Sequence, residues 1–244
     1  MGLALAAGGW LALIGRQGNL ALARAFYLSQ VGKYIPGGIW QAVGQVGLAR
    51  EAGVPLGKAA LAYPVHALVQ AAAGAAVGAG LALTPGVSTP IRWGALLLSA
   101  LLILLNRPWM VAVVSLIERR RPLVRSAELP DQRAILAAFG WSVASMLAFG
   151  GGFAALLGST DRPLAGIPAF AFAWTVGFLA VPFPAGLGIR EVALIAARIA
   201  PVGPLVAASA VLRVVLIVCE ALLILATSLR PRPRTAQLDR GADP

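Results

Sequence analysis

Charge, cysteine and histidine are scarce in this chain. Only 12% of its 244 residues are Asp, Glu, Lys or Arg, against about 25% in a soluble domain. There are nine acidic residues, and after the first 51 residues only Glu191 and Glu220 fall inside apolar segments. General acid–base or phosphate-transfer chemistry normally needs clustered carboxylates or a metal, so this scarcity argues against an enzyme. A single cysteine, Cys219, excludes a disulfide framework. With one histidine beside it, His66, a zinc cage cannot be assembled, and neither a metal nor another cofactor is expected. The apolar run 2–14 does not read as a secretory signal either, because no basic residue precedes it. That run is shorter than the roughly 20 residues that cross a bilayer. It reads as the second half of a helix whose first half is missing.

What the chain does have is apolar surface. Hydrophobic residues make up 59% of it, and the mean hydropathy is +0.83. Helices apolar on all faces and repeated along a chain belong in lipid, so the fold class expected is an all-α, polytopic integral membrane bundle. The net charge of +11 does not imply nucleic acid, because most basic residues flank apolar spans and orient them.

Four segments are long enough to cross: 57–83, 92–117 (interrupted at Asn106-Arg107-Pro108), 133–157 and 204–229. Basic residues cluster near the first hairpin (Arg16, Arg24, Lys33, Arg50, Lys58), around Arg119–Arg133 and after Leu229. With these on the cytoplasmic side, fourteen of the twenty lysines and arginines lie inside, as the positive-inside rule requires. Residues 1–229 then form one transmembrane domain in the cell's inner (cytoplasmic) membrane. The Pro- and Arg-rich tail 230–244 is expected to be a disordered cytoplasmic segment.

This topology leaves residues 167–200 starting and ending outside. The stretch has about fifteen apolar residues, a break at Pro182, Pro184, Gly186 and Gly188, then a second short helix, which fits a re-entrant hairpin. Residues 20–51 have the same build around Pro36-Gly37-Gly38 and would enter from the cytoplasm. At a constant offset of 148, Pro36 falls on Pro184, Gly38 on Gly186, Ala49 on Ala197 and Arg50 on Arg198. Three spans separate the hairpins, so the copies are expected to be inverted, a transporter device. Irregular backbone at membrane depth needs protein or a wet cavity to satisfy it, and a helix starting at the break offers its N-terminal dipole to anions.

The candidate cavity residues follow. Gln41 and Gln45 share one helix face, downstream of Lys33, Tyr34, Pro36, Gly37 and Gly38. Past the second break, beside Gly186 and Gly188, stand Arg190 and Glu191. Ionisable residues in a membrane segment are functional or mutually paired, here either a locking ion pair or a headgroup contact through Arg190 oriented by Glu191. Arg213 and Glu220 lie seven residues apart on the last span, and Arg213 is expected to approach Glu191 or the breaks. Lys33 with Tyr34, Arg50 and Arg198 also fit interfacial anchoring. His66 and Gln70 fit either a polar path or a hydrogen-bonded core pair. Gly74 with Gly78, and Gly150–Gly152, read as close helix packing.

The segments "YIPGGIWQAVGQVGLAREAGV" and "VPFPAGLGIREVALI" resemble, in order and separation, the flippase-like transmembrane domain family of lysylphosphatidylglycerol synthases. The likeness extends from about Gly18 to Leu229. It implies a protein that moves an anionic, aminoacylated or polyprenyl-linked lipid between leaflets, with membrane lipids and a soluble synthase or glycosyltransferase as partners. These 244 residues contain neither soluble domain. A subunit of a lipid-linked glycosyltransferase, or a scaffold for a synthase, is the alternative.

Overall fold

A computed structural model describes residues 1–35, 39–119, 125–158, 160–180 and 186–229. Pro36, Gly37 and Gly38 of the first break, Pro182 and Pro184 of the second, Arg120, Arg121 and the tail from Arg230 lie outside the described residues. Among those described there are ten α-helices with short 3-10 segments and no strand. They are α1 (Gly2–Ile14), α2 (Leu20–Ser29), α3 (Trp40–Glu51), α4 (Leu56–Gly78), α5 (Thr89–Leu98), α6 (Arg107–Glu118), α7 (Gln132–Leu156), α8 (Gly166–Leu179), α9 (Ile189–Ala197) and α10 (Val202–Ser228).

Local chemistry sets many of the boundaries. The Asn19 side chain accepts from Leu22 N–H at 3.1 Å, and Asp131 accepts from Ala134 N–H at 2.7 Å, capping α2 and α7. Each satisfies a donor that the first helical turn leaves unpaired. Pro55 and Pro201 immediately precede α4 and α10, where a missing N–H costs nothing.

Three helices are long and apolar enough to cross a membrane: Leu56–Leu83, Gln132–Leu156 and Val202–Ser228. A fourth candidate span is a bent pair, with Arg107–Glu118 lying at 76° to Thr89–Leu105. Seven of its residues, Ser99–Leu105, are 3-10 helix. Their steeper rise brings the segment to about 29 Å, close to a bilayer core of about 30 Å. The interruption read at Asn106-Arg107-Pro108 is thus a true elbow. Gln132 of α7 holds it, accepting from Arg107 N–H at 2.9 Å and donating to the Leu105 carbonyl at 3.3 Å.

The helices flanking each sequence break are too short to cross, since α2, α3, α8 and α9 have 10, 12, 14 and 9 residues. Within each pair the two helices pack against each other. A Cβ on Gly32 would come within 2.5 Å of Gln41 N, so the first pair closes only because that position is bare. One apolar core surrounds the first pair, with Trp10, Leu22, Phe26 and Val54. A second surrounds the other pair, with Phe153, Phe170, Phe172 and Leu194.

Between them run α4 and α7. Gly74 and Gly78 of α4 abut Thr175 and Phe172 of α8, and Gly150 of α7 abuts Ile167. These are the close approaches expected of small residues between helices.

Candidate substrate cavity

A cavity of about 360 Å³ lies between the two helix pairs and α10, with α1, α4 and α7 closing its other sides. The first pair supplies Gln30, Lys33, Tyr34, Gln41 and Gln45 to its wall. The second supplies Gly177, Gly186 and Arg190, and α10 supplies Arg213 and Glu220. Ten of the residues picked out in the sequence, His66 and Gln70 included, therefore meet here, drawn from segments as much as 187 positions apart.

Two ion pairs tie the helix pairs to α10. On one side the Lys33 ammonium pairs with Glu220, whose second oxygen accepts from the Tyr34 hydroxyl at 3.0 Å. Glu220 is only 5% exposed, so this carboxylate depends on both donors. On the other side Arg213 Nη2 donates to Glu191 Oε1 at 3.0 Å, the approach expected from the sequence. The same Glu191 oxygen accepts from Ser209 at 3.1 Å, and the other accepts from Gly188 N–H at 2.9 Å. Arg213 and Glu220 sit about 10.5 Å apart along the α10 axis. One helix face thus holds both helix pairs.

Arg190 is different. Its guanidinium lies 5.1 Å from the centre of the Phe170 ring, a cation–π contact, and its buried Nε has no hydrogen-bond partner. Of the three cavity cations it alone has no carboxylate partner among the described residues. Gly177 makes room for it, because a Cβ there would collide with Arg190 Cγ. Gly186, at φ +66°, packs on the Gly177 backbone, which excludes a side chain on two grounds.

The remaining wall is neutral and polar. Gln41 donates to Gln30 Oε1 at 3.2 Å, and Gln30 donates to the Phe26 carbonyl at 3.3 Å. Gln45, 1% exposed, leaves Nε2 without a partner, and Gln70 leaves Oε1 without one. His66 also lines the cavity, but its unpartnered Nε2 lies near Gly9 of α1, as does the unpartnered Ser142 hydroxyl. Of the pair read as either path or core, both members are buried on the cavity wall.

Two sequence candidates, Gly188 and Glu191, do not line the cavity. Glu191 caps α9 and holds Arg213, and Gly188, at φ +81°, provides the turn that presents its N–H. Pro36, Gly37 and Gly38 lie outside the described residues. Sequence reasoning missed Gln30 and Tyr63, which both line the cavity. A glutamine at the end of an apolar helix was the available signal for the first, and nothing marked the second.

A larger groove of about 800 Å³ lies at the elbow before α6; its polar residues are Asn106, Arg107 and Gln132, and the last two hold that bend. No group of three or more His, Cys, Asp or Glu among the described residues is placed to hold a metal ion. No family model, curated protein or solved structure matches this chain.

Proposed function

We propose that the protein is a multi-pass component of the cytoplasmic membrane that moves a lipid with an anionic headgroup between leaflets through this cavity. On this reading α4, the segment Thr89–Leu105, α7 and α10 cross the bilayer. The pairs α2–α3 and α8–α9 enter it from opposite faces as re-entrant hairpins in inverted repeat, with the C-terminus cytoplasmic. The observation that carries the proposal is a cavity with three cations, one carboxylate and four glutamines on its wall, in an otherwise apolar bundle. Each charge near midspan costs about 2.5–3.5 kcal/mol on insertion scales, a cost that closed helix packing does not require.

The two ion pairs suit alternating access. A tilt of α10 against one hairpin strains Lys33–Glu220, and a tilt against the other strains Arg213–Glu191, so the cavity opens to one side at a time. Arg190 attracts the headgroup. Both carboxylates near the cavity are held by donors, which disfavours the enzyme reading. The resemblance to the lysylphosphatidylglycerol synthase region adds aminoacylated and polyprenyl-linked lipids to the substrates worth testing, and a soluble synthase or glycosyltransferase as the partner.

The test is reconstitution in liposomes carrying fluorescent lipids, with dithionite to bleach outer-leaflet probe. Faster bleaching of an anionic probe than in protein-free vesicles is expected, and Arg190→Gln should reduce it about tenfold, the cost of a charged hydrogen bond. Bleaching at the protein-free level for every lipid contradicts the proposal.

A further inference from the structure

We infer that α6 lies along a membrane surface instead of crossing the bilayer, and that the groove at its elbow seats an anionic phospholipid of that leaflet, with the phosphate at Asn106 and Arg107. This second lipid site takes from the proposed function only that Thr89–Leu105 and α7 cross the bilayer. It does not require lipid to move through the cavity.

The position of the elbow supports the first half. Gln132, whose side chain holds the bend, is the first residue of α7, so the elbow stands level with the end of a crossing helix. From there α6 departs at 76° to Thr89–Leu105, close to the membrane plane. Its two faces agree with that course. Met110 and Val114 are buried in an apolar core with Leu105 and Ile135. Trp109, Val113, Leu116 and Ile117 recur at helical spacing on the outward side and are exposed. Every exposed position from Pro108 to Ile117 is apolar. A 12-residue helix with such a face, opened by a tryptophan and flanked by Arg107 and Arg119, belongs in the interface.

The groove beneath it has the polarity of a phospholipid. Asn106, Arg107 and Gln132 stand at the surface end. Leu136 and Phe139 line the groove four and seven residues further along α7, so it runs about 10 Å towards the bilayer centre. Leu102 and Leu136 are exposed, which lets an acyl chain enter from the side. At the surface end Arg107 Nε donates to the Pro130 carbonyl at 3.3 Å, and the guanidinium has no carboxylate partner among the described residues. The exposed Asn106 side chain does not cap α6. A guanidinium binds phosphate through charged, often paired hydrogen bonds, and an amide adds a donor. From Arg107 to Arg133 the sequence has six arginines against three carboxylates, which favours an anionic headgroup over a zwitterionic one.

The experiment places the full chain, with Cys219→Ser, in nanodiscs of mixed phosphatidylglycerol and phosphatidylcholine. Spin labels at Trp109→Cys, Val113→Cys and Ile117→Cys report depth through relaxation by oxygen against a nickel chelate. A helix along the bilayer normal would separate the first and last by about 12 Å. At 76° to a span tilted by about 20°, they differ in depth by no more than about 7 Å. A larger separation overturns the surface placement. Leu97→Cys, midway along Thr89–Leu105 and exposed, is the reference, and a shallow label there refutes the crossing itself.

A benzophenone side chain at Leu136, in the groove, and another at Leu147, exposed further along α7, capture neighbouring lipid for mass spectrometry. Adducts at Leu147 should match the bulk mixture. At Leu136 the ratio of phosphatidylglycerol to phosphatidylcholine should be raised about tenfold, the value of one charged hydrogen bond. Arg107→Gln with Asn106→Ala should return that ratio to bulk. Bulk composition at Leu136 without these substitutions, or equal enrichment at Leu147, overturns the site without recourse to any change at the elbow. Enrichment that survives Arg107→Gln with Asn106→Ala overturns the two residues as phosphate ligands. Enrichment at Leu136 without dithionite-detected transport refutes the translocator reading alone.

Discussion

The two helix pairs share a backbone plan but differ in chemistry. Each consists of short helices around a Pro- and Gly-containing break, and each is tied by one ion pair to α10. The polarity of the tie is reversed, however: the first pair contributes the cation Lys33, and the second contributes the carboxylate Glu191. Their surroundings differ as well. Glu220 is deeply buried with two side-chain donors, whereas Glu191 has three donors, one of them from the backbone. The same offset that aligns the breaks sets Gln41 against Ile189 and Gln45 against Ala193. Punctuation is repeated while the cavity-lining residues are not, so the two halves of the cavity differ in chemistry. The first half brings amides and the second brings the unpaired cation.

Breaking the ties should expose that asymmetry. The largest effect is expected from Glu220→Met, which strands Lys33 beside a buried site. Removing one partner of a buried pair costs about 3–5 kcal/mol, and partial exposure of Lys33 sets the value near 3. Thermal melting in detergent should report the loss, and Lys33→Met added to it should recover most of it. Next is Gly32→Ala, whose methyl meets the backbone of Trp40 and Gln41 and should cost about 2 kcal/mol of stability by overpacking. Arg213→Met should cost less, about 1–2 kcal/mol, because Glu191 keeps its bonds from Ser209 and Gly188. A melting loss at Arg213→Met as large as at Glu220→Met would erase the distinction between the ties. Gly177→Ala should cost about 1–2 kcal/mol by overpacking. Its methyl meets Cγ and Cδ of Arg190, with the Gly186 backbone in van der Waals range, so Arg190 must shift and anionic-lipid retention should fall by more than the melting temperature suggests.

Elements governed by local composition were legible in the sequence. Apolar length marks α4, α7 and α10, and the Asn106-Arg107-Pro108 interruption marks the elbow. Its 76° angle was not legible, because the angle is held by the amide of Gln132, 25 residues further on. The Arg213–Glu191 contact could be foreseen because an arginine in an apolar helix must find a partner. The Lys33–Glu220 contact could not, since a lysine at a helix end fits an interfacial anchor equally well and its partner is 187 residues away. The sequence pairs Glu191 with Arg190, either as a locking ion pair or to orient a headgroup contact. Its actual bonds to Gly188, Ser209 and Arg213 depend on the turn at Gly188 and on the placement of α10.

Access of water to the space between the helix pairs is the central claim, and cysteine labelling tests it directly. In a Cys219→Ser background, Gln41→Cys and Ala180→Cys each place a thiol on the cavity wall, one per helix pair. Val211→Cys places one on the exposed apolar face of α10. Right-side-out and inverted vesicles treated with a membrane-impermeant maleimide should label both cavity positions and leave the α10 position unlabelled. Labelling at Gln41→Cys and Ala180→Cys no faster than at Val211→Cys, in both vesicle orientations, would mean a dry interior and would contradict the account.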